Sequence, residues 1–272
     1  YPMPHPYDKS FKKAPHPATV EMLVDDMDKH GCTHSVLVQC IYHGWDNTYV
    51  ADCLERHPKR FRGHGLIEPT DPNVADKLKY WVKDRGLQGM RFSPIYYNEG
   101  KHGGDSWLNA RRTNRLWKMA ADLNAVFNFF IGPTQLPKLA TMLQAHPTVK
   151  VIVDHLSQID LGQKDPEPEF KLLLKMAEYR NVWLKVSDLK SVSKSGKYPF
   201  TDALPYVKRV YGAFGPDRLL FGTGCPGACR AAYDRPTLAK EIELIEKHIP
   251  FFTKDDQAKF LGRNAAELWG FQ

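Results

Sequence analysis

Short apolar runs alternate with amphipathic segments from one end of this chain to the other, and few architectures tolerate that rhythm. The runs fall at residues 35–39, 63–67, 89–92, 126–131, 149–153, 182–186 and 219–221. Most are continuous rather than alternating in polarity, the pattern of strands covered on both faces. Between them, apolar residues recur at helical spacing. One set is Val20, Leu23, Val24 and Met27, and a second is Leu116, Met119, Ala120 and Leu123. Two more are Leu136, Leu139, Ala140 and Leu143, and Phe170, Leu173, Leu174 and Ala177. Further helices are predicted at about 47–57, 73–84, 200–213 and 236–248, with a last one near 254–268.

Strict β/α alternation implies a parallel sheet with crossover helices. Seven strands are visible and the chain opens with a helix. The reading is therefore α/β, a (β/α)8 TIM barrel whose first strand is missing from this chain or atypical in it. The sequence begins at Tyr1 rather than Met, so that strand is expected before Tyr1. A doubly wound open sheet is the alternative. No internal repeat or low-complexity linker divides the chain, and residues 1–272 are expected to form a single domain.

Composition narrows the partners. No stretch reaches the ~18 apolar residues of a membrane helix. The 38 Lys and Arg against 31 Asp and Glu leave a net charge of +7, scattered without a basic run. That excludes a nucleic-acid tract and suits a small anionic molecule. Five cysteines (Cys32, Cys40, Cys53, Cys225 and Cys229) form no dense framework, so they are expected as thiols in a reducing, cytoplasmic compartment. The C-x3-C pair at Cys225 and Cys229 has no second pair to complete a structural zinc site. An oligomer is compatible with all of this. Neither a G-x-G-x-x-G turn nor a phosphate-binding G-x-x-x-x-G-K-[ST] loop is present.

In a barrel, reactive groups sit at the C-terminal ends of strands and in the loops beyond. Those positions hold Gln39, Cys40, Tyr42, His43 and Trp45 after the first visible strand, then Glu68, then Arg91 and Ser93. Later come Gly132 and Pro133, Asp154 and His155, Lys185, Ser187 and Asp188, and finally the run from Gly222 to Pro226.

These residues, in this order and spacing, resemble the amidohydrolase-related (amidohydrolase 2) family. The resemblance runs over nearly the whole chain through SVLVQ with WDN, HPKRFRGHGLIEP, GLQGMRFSP, VKVIVDHL, NVWLKVSDL, FGPDRLLFGTGCP and LGRNAAELWGF. It implies a barrel enzyme that hydrolyses C–O or C–N bonds, or cleaves C–C bonds, in small carboxylated or cyclic substrates. Many members hold one divalent metal, usually zinc, through an H-x-H, later histidines and an Asp ending the last strand. Here no H-x-H occurs, Asn128 lies in a strand without the expected His, and Gly224 stands where relatives carry the Asp of G-T-D-x-P. Of the metal set only His155 remains, and a catalytic zinc needs about three protein ligands. No cofactor is therefore expected, unless residues before Tyr1 supply ligands for zinc or another divalent metal.

The expected activity is hydrolysis of a lactone-type C–O bond. A barrel that only binds a small acid or protein partner, and a decarboxylase of an aromatic acid, are the alternatives. His155 is the expected general base or polariser, Arg91 the two-point clamp for a substrate carboxylate, and Lys185 a third catalytic group. Tyr42, His43, Trp45, Ser93 and Cys225 are expected to contact substrate, with Tyr42 or His43 donating to the developing oxyanion. Asp154 is expected to point to the opposite side from His155 by strand alternation, as a structural partner. Asp46 and Asn47 are read as opening a helix.

Overall fold

The computed structural model describes residues 1–10, 16–224 and 226–271. Each apolar run forms a strand: β1 (Ser35–Val38), β2 (Phe61–Leu66), β3 (Gly89–Phe92), β4 (Val126–Phe129), β5 (Lys150–Val153), β6 (Val182–Lys185) and β7 (Leu219–Leu220). The helices are α1 (Val20–Lys29), α2 (Thr48–Arg56), α3 (Val74–Lys79), α4 (Asn114–Leu123), α5 (Leu136–Ala145) and α6 (Glu167–Lys175). After them come α7 (Leu189–Val192), α8 (Leu204–Phe214), α9 (Ala228–Ala232), α10 (Leu238–Glu243), α11 (Lys254–Ala258) and α12 (Asn264–Trp269). Wider helical turns extend α3 through residues 80–84 and α10 through 244–248, and join α11 to α12, so the predicted helical spans hold.

The strands are parallel and their order follows the chain, β1 to β7. A doubly wound sheet reverses its order at a switch point. Here β1 through β5 pair consecutively without reversal, which does not follow the doubly wound order. The register sets His64 beside Gly89 and Gly89 beside Val126. One layer higher it aligns Leu66, Arg91, Asn128 and Ile152.

The described residues group into two compact units. The first holds 1–10, 34–153 and 178–182; the second holds 16–33, 154–177 and 183–271. In the first, Phe92, Phe127 and Phe129 form an aromatic core with Trp117 of α4, the ring of Trp117 lying 5.4 Å edge-on to Phe127. Those rings bury alternate positions of β3 and β4, so Arg91 and Asn128 face the other way. Asn47 is fully buried and clasps β2. Its Nδ2 donates to the Leu66 carbonyl at 2.9 Å, and its Oδ1 accepts the Leu66 N–H at 2.7 Å. Asp46, one residue earlier, accepts the Thr48 amide at 3.0 Å at the start of α2. The helix-opening reading of this pair is right for Asp46, while Asn47 spends its side chain on the strand.

In the second unit, Thr19 caps α1 by accepting the Met22 amide at 3.4 Å. Proline in the first turn of α6 and α8 fits positions whose N–H would have no helical partner. The short helices α7 and α9 were not foreseen, since neither is long enough to show a period. Among the described residues no helix is long and apolar enough to cross a membrane.

Candidate functional site

In the second unit the chain runs from Asp154 into a tight left-handed turn. His155, Leu156, Ser157 and Gln158 have φ of 49°, 51°, 57° and 55°. For residues with a Cβ this region costs about 1–2 kcal/mol each. Four in a row persist only where surroundings over-determine them, and such places cluster at functional sites. Leu156 and Ser157 supply that hold, being 1 % and 0 % exposed.

The turn presents two groups. His155 Nδ1 is hydrogen-bonded to Ser187 Oγ at 2.8 Å, which fixes the ring. Asp154 is completely buried, and its Oδ1 lies 2.7 Å from Lys185 Nζ, itself only 12 % exposed. This corrects the expectation that Asp154 points away as a separate structural group. Asp154 is still extended, at φ −78° and ψ 142°, so alternation carries its carboxylate to the side of Ile152 and onto the ammonium, and it is His155, at φ 49°, that breaks the alternation. Gly222 makes room for that lysine. A Cβ there would stand 2.8 Å from Lys185 Cδ and 3.3 Å from Ser187 Oγ, so any side chain would displace one of them. A fully desolvated ion pair of this kind is held by its geometry, and losing one member strands a buried charge.

A second charged group lies beyond β6. Asp188, at φ 56° ahead of α7, takes two contacts from Arg235: Nη1 to Oδ1 at 2.5 Å and Nη2 to Oδ2 at 3.3 Å. Arg230 donates through Nε to the Pro236 carbonyl at 2.6 Å and through Nη2 to Glu241 Oε1 at 3.2 Å. Burial pushes the Glu241 carboxyl up to about 7; Arg230 and Arg235 oppose that shift and Asp188 adds to it. Position 224 belongs to this group, because a Cβ on Gly224 would meet Arg235 Cδ at 2.8 Å and Nε at 3.1 Å.

In the first unit, Arg91 is the penultimate residue of β3 and half-buried, its guanidinium 4.7 Å from the centre of the Phe130 ring. Ser93 follows it, 8 % exposed, its carbonyl accepting the Tyr96 amide at 3.1 Å. Tyr42 and His43 sit in a single turn after β1. The Tyr42 ring is 5.9 Å from His5, and His43 Nδ1 is 2.9 Å from the Pro2 carbonyl. Trp45 meets Tyr7 edge-on at 6.2 Å. Tyr7 also stacks on Tyr96 at 4.8 Å and lies 4.6 Å from His102, and burial with a hydrogen bond donated to Tyr97 holds its phenol well above the usual range. Glu68 accepts from Thr70 Oγ1 at 3.1 Å.

The expected site residues therefore fall into two sets. His155 and Lys185 come together, joined by Asp154 and Ser187. Tyr42, His43, Trp45, Ser93 and Arg91 belong to the first unit, where Tyr7 and His5 join the loop residues unannounced by any motif. Cys225 lies outside the described residues. Cys32, Cys40, Cys53 and Cys229 form no disulfide. Arg235 was missed. Gly224 flagged the place, but nothing in a sequence says what fills a vacated side-chain position.

The whole chain has known counterparts. Residues 5–271 match the amidohydrolase family model. The chain is 27% identical over 267 residues to a 4-sulfomuconolactone hydrolase of Rhizobium radiobacter, covering 97% of this chain and 85% of that protein. It is 29% identical over 231 residues to a 2-pyrone-4,6-dicarboxylate hydrolase of Comamonas testosteroni, covering 81% and 72%. The fold matches the crystal structure of a probable 2-pyrone-4,6-dicarboxylic acid hydrolase from Acinetobacter baumannii with citric acid bound. The TM-score is 0.80 at 22% identity, over 100% of this chain and 96% of that one. A match of the family model from residue 5 to residue 271, on a parallel α/β fold with strand-end His, Asp and Lys residues, makes this chain a member of the amidohydrolase family.

Proposed function

We propose that this amidohydrolase hydrolyses the ring ester of a small lactone bearing acidic groups. The seven strands would be the second to eighth of a (β/α)8 barrel. The observation that carries the reading is the joined set of Asp154–Lys185 and His155–Ser187, a base and a buried cation fixed at consecutive strand ends of a family with lactone-hydrolase relatives.

In this reading Ser187 Oγ accepts from His155 Nδ1–H, leaving the Nε2 lone pair to take a proton from water. The resulting hydroxide adds to the lactone carbonyl. The Lys185 ammonium, held by Asp154, stabilises the tetrahedral oxyanion, an interaction stronger in the transition state than with the neutral carbonyl. Collapse breaks the ring C–O bond, and the departing oxygen takes the proton back from His155. The product is an open-chain hydroxy acid or its keto form. Taken by itself, the first unit offers Arg91, its guanidinium seated on Phe130, as a group proposed to bind a carboxylate. Tyr42, His43, Trp45 and Ser93 are proposed substrate contacts.

We propose a route without the divalent metal that the family resemblance implies: Asp154 is engaged by an ammonium, and an arginine stem takes the space at Gly224. Among the described residues no three His, Cys, Asp or Glu side chains cluster as ligands. No step is routed through a metal.

The test is a panel of carboxylated and sugar lactones with wild type and His155→Ala. Turnover that falls by more than about 100-fold in the folded variant supports the base role. A second reading, a binding barrel without turnover, is favoured by Gly224 alone. Ligand-induced thermal stabilisation without hydrolysis on the same panel would establish it instead.

A further inference from the structure

Gly224 and Arg235 form one structural device. Gly224 is exposed, and a Cβ built on it would press on the Arg235 stem: 2.8 Å to Cδ, 3.1 Å to Nε and 3.5 Å to Cζ. The crowded atoms are the methylene and the base of the guanidinium, not a free tip. Any side chain at 224 would therefore move the arginine. A cation from eleven residues further along fills the space that a side chain at this strand end would need.

The two arginines of this region are built differently. Arg230 is 3 % exposed and committed to the Pro236 carbonyl and Glu241. Arg235 is 31 % exposed, and its pairing with Asp188 has one short arm of 2.5 Å and one long arm of 3.3 Å. A fork with one loose arm on a partly exposed side chain can exchange one carboxylate partner for another at little cost. The charge balance favours an incoming anion. Two guanidiniums face Asp188 and Glu241, and Glu241, pushed up to about 7, carries only part of a negative charge near neutral pH.

We infer that Arg235, lodged in the space vacated at Gly224, is a specificity-determining residue that binds an acidic group of the substrate, a carboxylate in two-point contact. The inference rests on the lactone-hydrolase reading and deepens it: the substrate carries a carboxylate beyond the ring ester, and Asp188 is the partner it displaces or shares.

The experiment measures kcat/KM for 2-pyrone-4,6-dicarboxylate and for its 4- and 6-monocarboxylates, with wild type, Arg235→Gln, Arg235→Lys and Gly224→Asp. The expected result for Arg235→Gln is a fall of about tenfold or more in the preference for the dicarboxylate over one of the monocarboxylates, the one lacking the group Arg235 holds. Arg235→Lys restores part of that preference, and Gly224→Asp reproduces the loss, because the new carboxylate captures the arginine. Preferences that stay within about twofold in both Arg235→Gln and Gly224→Asp overturn the inference. If none of the pyrones turns over, the hydrolase reading fails on its own. Calorimetric binding of the same compounds then decides: an affinity for the dicarboxylate that drops about tenfold in Arg235→Gln upholds the site, and an unchanged affinity removes it.

Discussion

At the scale of single residues, the account turns on charges placed where water cannot reach them. Asp154 has no exposed surface and Lys185 little, so neither can lose its partner without stranding the other. Asp154→Asn should therefore destabilise the protein by about 3–5 kcal/mol. In a chain of this size that lowers the melting temperature by roughly 6–20 °C. The double variant Asp154→Asn with Lys185→Met, which removes both charges, should recover most of that loss in a thermal melt. A double variant no more stable than the single one would mean that the pair is not the burial-limited element it looks like. The positions of His155, just past β5, and of Lys185, at the end of β6, were both legible in the sequence. Their joining was not. Period-2 alternation counted from His155 assigns Asp154 to the far side, but the left-handed turn begins at His155 itself, so Asp154 keeps its strand direction and meets Lys185.

At the scale of elements, the strands were the legible part. Each apolar run falls in a strand, because a parallel sheet covered on both faces leaves few polar positions to blur the signal. The turn at 155–158 was invisible for the opposite reason. His-Leu-Ser-Gln contains neither Gly nor Asn, the residues by which a left-handed segment announces itself. The strain there has a testable consequence at Gln158, the least buried of the turn's last three residues. Gln158→Gly should raise stability by about 1 kcal/mol as the Cβ penalty is relieved, a gain of roughly 2–4 °C in melting temperature. It should also lower kcat, since a looser turn holds His155 less firmly against Ser187. A variant that is less stable, or equally active and more stable, would show that the turn is not tensioned to place the histidine.

At the scale of the whole molecule, charge distribution ties stability to pH. Glu241 starts from 4.5 and is pushed up to about 7 in the folded chain by burial. Between those values the folded state keeps a proton that the unfolded state has released. Stability contributed by this group is therefore highest below 4.5 and falls as pH rises through about 7. The cost above that window is about 3 kcal/mol at most. Glu241→Gln lacks this titration, so its stability relative to wild type should climb steadily between pH 5 and pH 8 in denaturant unfolding. A constant difference across that range would place the Glu241 carboxyl at its ordinary value. The arginines around it also explain why composition was only partly informative. A scattered excess of +7 indicated an anionic ligand but could not say which cations are spent on internal pairs. The most direct test of the catalytic reading is kcat/KM for 2-pyrone-4,6-dicarboxylate hydrolysis, measured on untreated enzyme, on chelator-treated enzyme, and on the Asp154→Asn, Lys185→Met double variant. The expected result is full activity after chelation and a loss of more than about 100-fold in the folded double variant. Activity that disappears on chelation and returns with zinc, or that survives removal of the Asp154–Lys185 pair, would contradict it.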